Sequence, residues 1–209
     1  MSKKVLTYPE LNRPSAFTEA ELDWKPWLQA PPIESLSEEQ YQGLVDKARA
    51  KSDYFRLLSR DPEILGARTR TDKDIFYNAR EGLPRAEREL AATATSRFNG
   101  CVFCASVHAR FASHYSGRHH DIQLLLTGGT SADLGRRWNA IVAAAIALTK
   151  TPSELDASHL EALEREGLDD LAISDVLHGS AFFNWANRLM LSLGEPVAGQ
   201  VKSSQGSPA

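Results

Sequence analysis

An all-α fold is what this sequence of 209 residues predicts, and three observations carry the prediction. Helix starts recur along the chain, as a Ser37-Glu38-Glu39-Gln40 capping box and as prolines at Pro62 and Pro84 suited to first turns. Trp138 to Leu148 is a long run of small and branched apolar residues, which reads as a central buried helix. Nowhere do several strand-like alternating runs sit between turn signals. The length suits one domain with an extension.

The elements follow in order. Residues 1–35 are rich in Pro and Trp (Pro9, Pro14, Pro26, Pro31, Pro32; Trp24, Trp27), and an extended arm is expected whose aromatics dock on a surface such as that of another subunit. A helical domain is expected over 36–200. The capping box opens a helix through about Ala50, Pro62 starts one toward Phe76, and Pro84 precedes one from Arg85 to about Arg97. Asn99-Gly100 breaks the chain, and the next helix runs to about Tyr115. Asp121 to Leu126 suggests a short helical turn. The buried helix at Trp138 stops near Lys150 because Pro152 follows. Asp156 to Glu166 and Asp170 to Leu193 supply the last helices, Gly194 ends the final one, and 201–209 is expected to be a mobile tail.

Charge and composition narrow the function. A formal net charge of -3 and a pI near 6.1 offer no electrostatic case for nucleic acid or an anionic membrane. Met1 to Pro9 has two lysines but no apolar core of a signal peptide, and no stretch reaches transmembrane length. A cytoplasmic protein is expected, where a cysteine pair is more often catalytic or metal-binding than a static crosslink.

Both cysteines of the chain fall in Asn99-Gly100-Cys101-Val102-Phe103-Cys104-Ala105-Ser106-Val107-His108. With Gly100 ahead of the helix, Cys101 sits near the N-cap and Cys104 in the first turn, where free N–H groups and the helix dipole favour thiolate. His108 lies four residues beyond Cys104 and so on the same helix face, able to take its proton. Cys101, three residues before, can attack a sulfenic acid formed on Cys104 and close a disulfide. Glu89, among small and apolar neighbours on the preceding helix, must either reach solvent or find a partner, and is the candidate to orient the base. Glu87 is expected on the solvated face with Arg85 and Arg88.

Glu89 followed by Cys101-x-x-Cys104-x-x-x-His108 resembles the pattern of the alkylhydroperoxidase D / carboxymuconolactone decarboxylase family, and more narrowly its peroxidase-related branch. The likeness is strongest over Leu83 to Gly117 and continues through Leu148-Thr149-Lys150-Thr151-Pro152 and Phe182 to Arg188. The resemblance implies an alkylhydroperoxidase D-like helical bundle assembled as a homo-oligomer, a trimer or a pair of trimers. It implies a thiol peroxidase acting on hydrogen peroxide or organic hydroperoxides, with Cys104 peroxidatic, Cys101 resolving, and His108 and Glu89 as proton relay. The best-studied members carry a further histidine between the cysteines, where this chain has Phe103.

No cofactor is expected: there is no Gly-rich phosphate loop, and Ala105 stands where covalent haem attachment needs His. Electrons would come from a separate dithiol protein. The alternatives are a zinc site built on Cys101, Cys104 and His108 with Glu89 or a water, a redox sensor without turnover, and the lactone decarboxylase chemistry of family members lacking the cysteine pair. His114, His119 and His120 are read as a cluster at a helix C-terminus rather than as metal ligands. Phe98, Phe103, Phe111, Phe182, Phe183 and Trp185 are read mainly as core, with a pocket for an apolar peroxide as the sharper reading. Asn184 and Asn187 either bond across subunits or cap a turn, and Arg68, Arg70 and Arg80 read as a solvated face.

Overall fold

Alanine-rich helix faces set the architecture. The computed structural model describes residues 5–78 and 80–199; the tail expected at 201–209 lies outside them. Helix α4 (Arg85–Phe98) is the centre, packed on α5 (Val102–Ser116), α7 (Arg136–Thr149) and α9 (Asp170–Leu193). Its contact face of Leu90, Ala91 and Ala94 meets Ala105, Ala109 and Ala112 of α5 and Ile141, Ala144 and Ala145 of α7 in one core. Small side chains let these axes approach closely, and burial of the larger ones supplies the hydrophobic drive. Around them lie α1 (Glu38–Leu44), α2 (Asp53–Leu58), α3 (Pro62–Tyr77), α6 (His119–Gly128) and α8 (Ala157–Arg165).

The protein is mostly helical, but two strands qualify the all-α prediction. β1 (Leu22–Pro26) pairs antiparallel with β2 (Gly194–Ala198), Trp24 opposite Pro196. Leu22, Trp24 and Pro26 face inward while Asp23 and Lys25 face out, the alternation expected of a half-buried strand. The partners are far apart in sequence, so no hairpin signal marks them. Trp24 docks within its own chain, edge-on to Tyr54 at 5.5 Å.

The local stop and start signals act as read at several points. The Ser37–Gln40 capping box forms with both of its hydrogen bonds. Asp61 caps α3 with Pro62 at its start. Gly100 and Gly117, at φ 78° and 70°, bracket α5. Helix α1, expected to reach Ala50, ends at Leu44, and a 3-10 turn follows over Lys47–Lys51. A Cβ on Gly43 would lie 2.5 Å from the Pro62 carbonyl oxygen, so α1 and the start of α3 meet there too closely for any larger side chain. Helix α2 was not anticipated, its six residues being too short for a periodic signal.

Four expectations about polar residues are corrected. His119 and His120 open α6 instead of trailing α5, because Gly117 and Arg118 suffice for the turn; only His114 lies in the last turn of α5. Arg68 is buried beside Phe55 and Phe182. Glu87 is buried and accepts two hydrogen bonds from Arg137, at 2.7 and 2.8 Å. Arg88 is buried too, bonded to the carbonyls of Ile75, Glu81 and Leu83 and paired with Asp175 at 2.8 Å, which ties the loop ahead of α4 to α9. Among the described residues no helix is long and apolar enough to cross a membrane.

Candidate active site

The turn that joins α4 to α5 is clamped before it carries chemistry. Asn99 ends α4 and its side-chain amide donates to Asn184 and Asn187 of α9, at 3.2 and 3.1 Å. Asn187 in turn donates to Ser96 Oγ at 3.0 Å, and the Cys101 amide donates to the Ser96 carbonyl at 2.9 Å. The two late asparagines therefore hold the cysteine turn of their own chain. With Gly100 in the left-handed region, this makes Cys101 the N-cap of α5 and puts Cys104 in its first turn.

The two sulfurs lie 2.8 Å apart as free thiols, Cys101 donating to Cys104. That hydrogen bond, with burial adding to it, raises the Cys101 thiol pKa well above its ordinary range. Cys101 is thus held as the neutral donor and Cys104 as the acceptor. Cys104 is part of the wall of a cavity of about 590 Å³, and Cys101 is not.

His108 follows one turn later on α5 and faces the same cavity. Its Nδ1 donates to Glu89 Oε2 at 2.5 Å, which leaves Nε2 as the acceptor nitrogen in the neutral ring. Glu89 is 1 % exposed, and Arg85 binds its other oxygen, with Nε at 2.7 Å and Nη2 at 2.6 Å. A buried carboxylate is tolerable only when paired in this way. The imidazole is set by stacking on Phe76, at 5.2 Å and 24°, and by the edge contact of Phe183 at 4.1 Å.

The four side chains read from the sequence form two pairs on α4 and α5, Cys101 with Cys104 and Glu89 with His108, and Glu89, Cys104 and His108 line the same cavity. Of the aromatics, Phe103, Phe111 and Phe183 join the cavity wall, whereas Phe98 and Trp185 are largely exposed. Sequence reasoning missed Arg85, although its position four residues before Glu89 is the spacing of a helical ion pair. It also missed the opposite wall, where Trp24, Tyr54 and Arg68 come from three separate elements and no short-range pattern connects them. Among the described residues no three His, Cys, Asp or Glu side chains gather as a metal shell requires.

Comparison with known proteins agrees on the architecture. Residues 62–147 match the model of the carboxymuconolactone decarboxylase family. Among curated proteins, none matches this sequence. An alkylhydroperoxidase AhpD core from Ralstonia eutropha JMP134, an uncharacterized peroxidase-related protein, superposes with a TM-score of 0.66 at 22% identity, over 83% of this chain and 90% of that one. An uncharacterized peroxidase-related protein from Silicibacter sp. TM1040 gives 0.66 and 22%, over 92% and 96%. The debrominase Bmp8 gives 0.58 and 19%, over 78% and 83%. The stretch from α3 to α7 thus carries the carboxymuconolactone decarboxylase family match, and the chain as a whole has the alkylhydroperoxidase D-like fold.

Proposed function

We propose that this protein is a thiol peroxidase that reduces hydroperoxides with the Cys101–Cys104 pair. One observation carries the reading: Cys104 faces the cavity, accepts a hydrogen bond from Cys101 behind it, and shares its helix face with a histidine already anchored by Glu89. The peroxidase-related descriptions of two structural neighbours support the same class.

The chemistry follows from those positions. Nε2 of His108 takes the Cys104 proton, and Glu89 steadies the imidazolium while Arg85 holds Glu89 in place. The Cys104 thiolate attacks the terminal peroxide oxygen, so that an S–O bond forms as the O–O bond breaks. The alkoxide leaves as an alcohol with the proton held by His108. Cys101 then attacks the sulfur of the Cys104 sulfenic acid, the S–S bond forms, and water departs. Each cycle consumes one hydroperoxide and two thiols and yields alcohol, water and a disulfide. A dithiol protein must return the two electrons.

The deciding experiment counts free thiols in reduced protein before and after one equivalent of cumene hydroperoxide. Loss of both thiols with matching peroxide consumption is expected. Thiols that persist in the folded protein would remove the peroxidase reading and favour a sensor. Among the described residues no third His, Cys, Asp or Glu gathers with the pair, which favours the peroxidase reading over zinc. We further propose a cytoplasmic homo-oligomer, trimer or hexamer; the exposure of Phe98, Trp185 and Leu191 supports an interface, and light scattering on the full chain tests it.

A further inference from the structure

The wall of the cavity that faces away from α4 and α5 contains hydrogen-bond donors with nothing to bond. Trp24 of β1, Tyr54 of α2 and Arg68 of α3 are 9 %, 4 % and 8 % exposed. Trp24 Nε1, Tyr54 Oη, and Nε and Nη1 of Arg68 are each buried without a hydrogen-bond partner among the described residues. All three side chains line the same cavity as Cys104. Trp24 and Tyr54 also belong to the packed cluster that contains both cysteines and Met190. Buried polar groups are almost always paired in native proteins, and a cluster that is not invites a ligand.

The charge on this wall has a sign. The Arg68 guanidinium lies 5.2 Å from the ring centroids of both Phe55 and Phe182, where water cannot screen it well. Its nearest carboxylate, Asp72, stands 3.6 Å from Nη1, beyond hydrogen-bonding distance, and is already bonded to Arg49 at 3.0 Å. Burial raises the Tyr54 pKa to about 12, with Arg68 opposing, so its hydroxyl is a neutral donor at any physiological pH. The rest of the lining combines an aromatic stretch, Phe76, Phe103, Phe111 and Phe183, with charges of both signs, Asp23, Asp53, Asp72 and Glu89 against Lys25, Arg49, Lys51 and Arg85. A buried cation and two neutral donors, all with unpaired atoms, beside the aromatic stretch complement an anionic headgroup on an apolar body.

We propose that Arg68, Tyr54 and Trp24 bind a substrate carboxylate, so that the preferred substrates are organic hydroperoxides carrying a carboxylate on an apolar frame. The hydroperoxide end is then presented to Cys104 by the packed cluster that links the two walls. The identity of the reacting end rests on the peroxidase reading; the anion site itself does not.

The test separates the two. Calorimetry on the reduced full-length protein compares 4-isopropylbenzoate, which has the carboxylate and no peroxide, with its uncharged amide. The benzoate should bind more tightly, and Tyr54→Phe and Arg68→Met should each weaken it by about tenfold or more while leaving the amide unchanged. Tyr54→Phe deletes only an unbonded oxygen, so it keeps the test decisive if Arg68→Met fails to fold. In parallel, initial rates are measured with cumene hydroperoxide and its para-carboxylate, and the carboxylate should react faster in wild type alone. Equal binding of benzoate and amide, binding of neither, or benzoate binding indifferent to Tyr54→Phe would overturn the anion site even if both hydroperoxides are consumed. Benzoate binding that Tyr54→Phe weakens, with neither hydroperoxide consumed, would uphold the site and remove the peroxidase.

Discussion

The two walls of the cavity treat their buried polar groups in opposite ways. On α4 and α5 every one is answered: Glu89 by His108 and Arg85, Cys104 by Cys101, Ser96 by Asn187, and the Thr93 hydroxyl by the Glu89 carbonyl. On β1, α2 and α3 lie all the unpaired buried side-chain polar atoms found among the described residues, in Trp24, Tyr54, Arg68 and Thr69. A buried donor or acceptor without a partner costs about 1–3 kcal/mol. One wall therefore spends its polar groups on positioning reactive atoms, and the other keeps its polar groups uncommitted at the expense of stability. The difference teaches that a reactive group must be fixed before substrate arrives, whereas a recognition group must be left open for it.

The contrast can be broken at either wall. The largest effect belongs to Cys104→Ser, which should abolish peroxide consumption altogether; Cys101→Ser should support one turnover and leave a sulfenic acid that dimedone traps and mass spectrometry locates on Cys104. Full activity in both single variants would end the two-cysteine scheme. Glu89→Ala strands Arg85 and His108 in a buried site, and should lower stability by about 3 kcal/mol on urea denaturation as well as slowing thiol oxidation. A stability change near zero would mean that the ion pair is not the structural keystone of its wall.

Gly194→Ala tests how firmly the arm is seated. Its added Cβ would meet the Lys25 carbonyl oxygen at 2.2 Å and the Trp24 ring at 2.3 Å, an overpacking worth about 1–3 kcal/mol. Fluorescence of Trp24 should shift toward a more solvated position, while cysteine reactivity survives. The sulfur pair predicts an order of labelling. Because the Cys101 pKa is raised, its thiol stays protonated where a free cysteine ionises, so iodoacetamide near pH 8 should modify Cys104 first. The same shift means that the unfolded chain releases this proton before the folded one, so stability should fall as pH climbs past about 9. That loss should vanish in Cys101→Ser. Smallest of all, Tyr54→Phe should raise stability on urea denaturation by about 1 kcal/mol, since the hydroxyl it deletes is buried without a hydrogen-bond partner among the described residues.

What could be read from the sequence was whatever is encoded locally. Pro62, Pro84, Gly100 and Gly194 mark helix ends because backbone sterics act on neighbours, and those ends appear within a residue or two. The site on α4 and α5 was legible for a similar reason, since Cys101, Cys104 and His108 share one helix and Glu89 sits on the helix before it. The rest depends on partners that sequence does not align. Glu87, Arg88 and Arg68 resemble solvated charges until Arg137, Asp175 and the Phe55–Phe182 pair are brought to them by tertiary packing. Pairing of β1 with β2 joins segments on either side of the helical core, and it holds the strand that contributes Trp24 to the second wall of the cavity.

That pairing also orders events in time. Ribosomes deliver Trp24 before the helical core, but the strand that seats it, Gly194–Ala198, emerges only after α1 to α9 of the described residues have been made. Until then the growing chain carries both cysteines beside a half-built chamber, open to any oxidant or metal in its surroundings. Seating of Trp24 is therefore tied to synthesis of residues 194–198, and a chain truncated before residue 194 would present its thiols beside a wall that lacks its strand-held part.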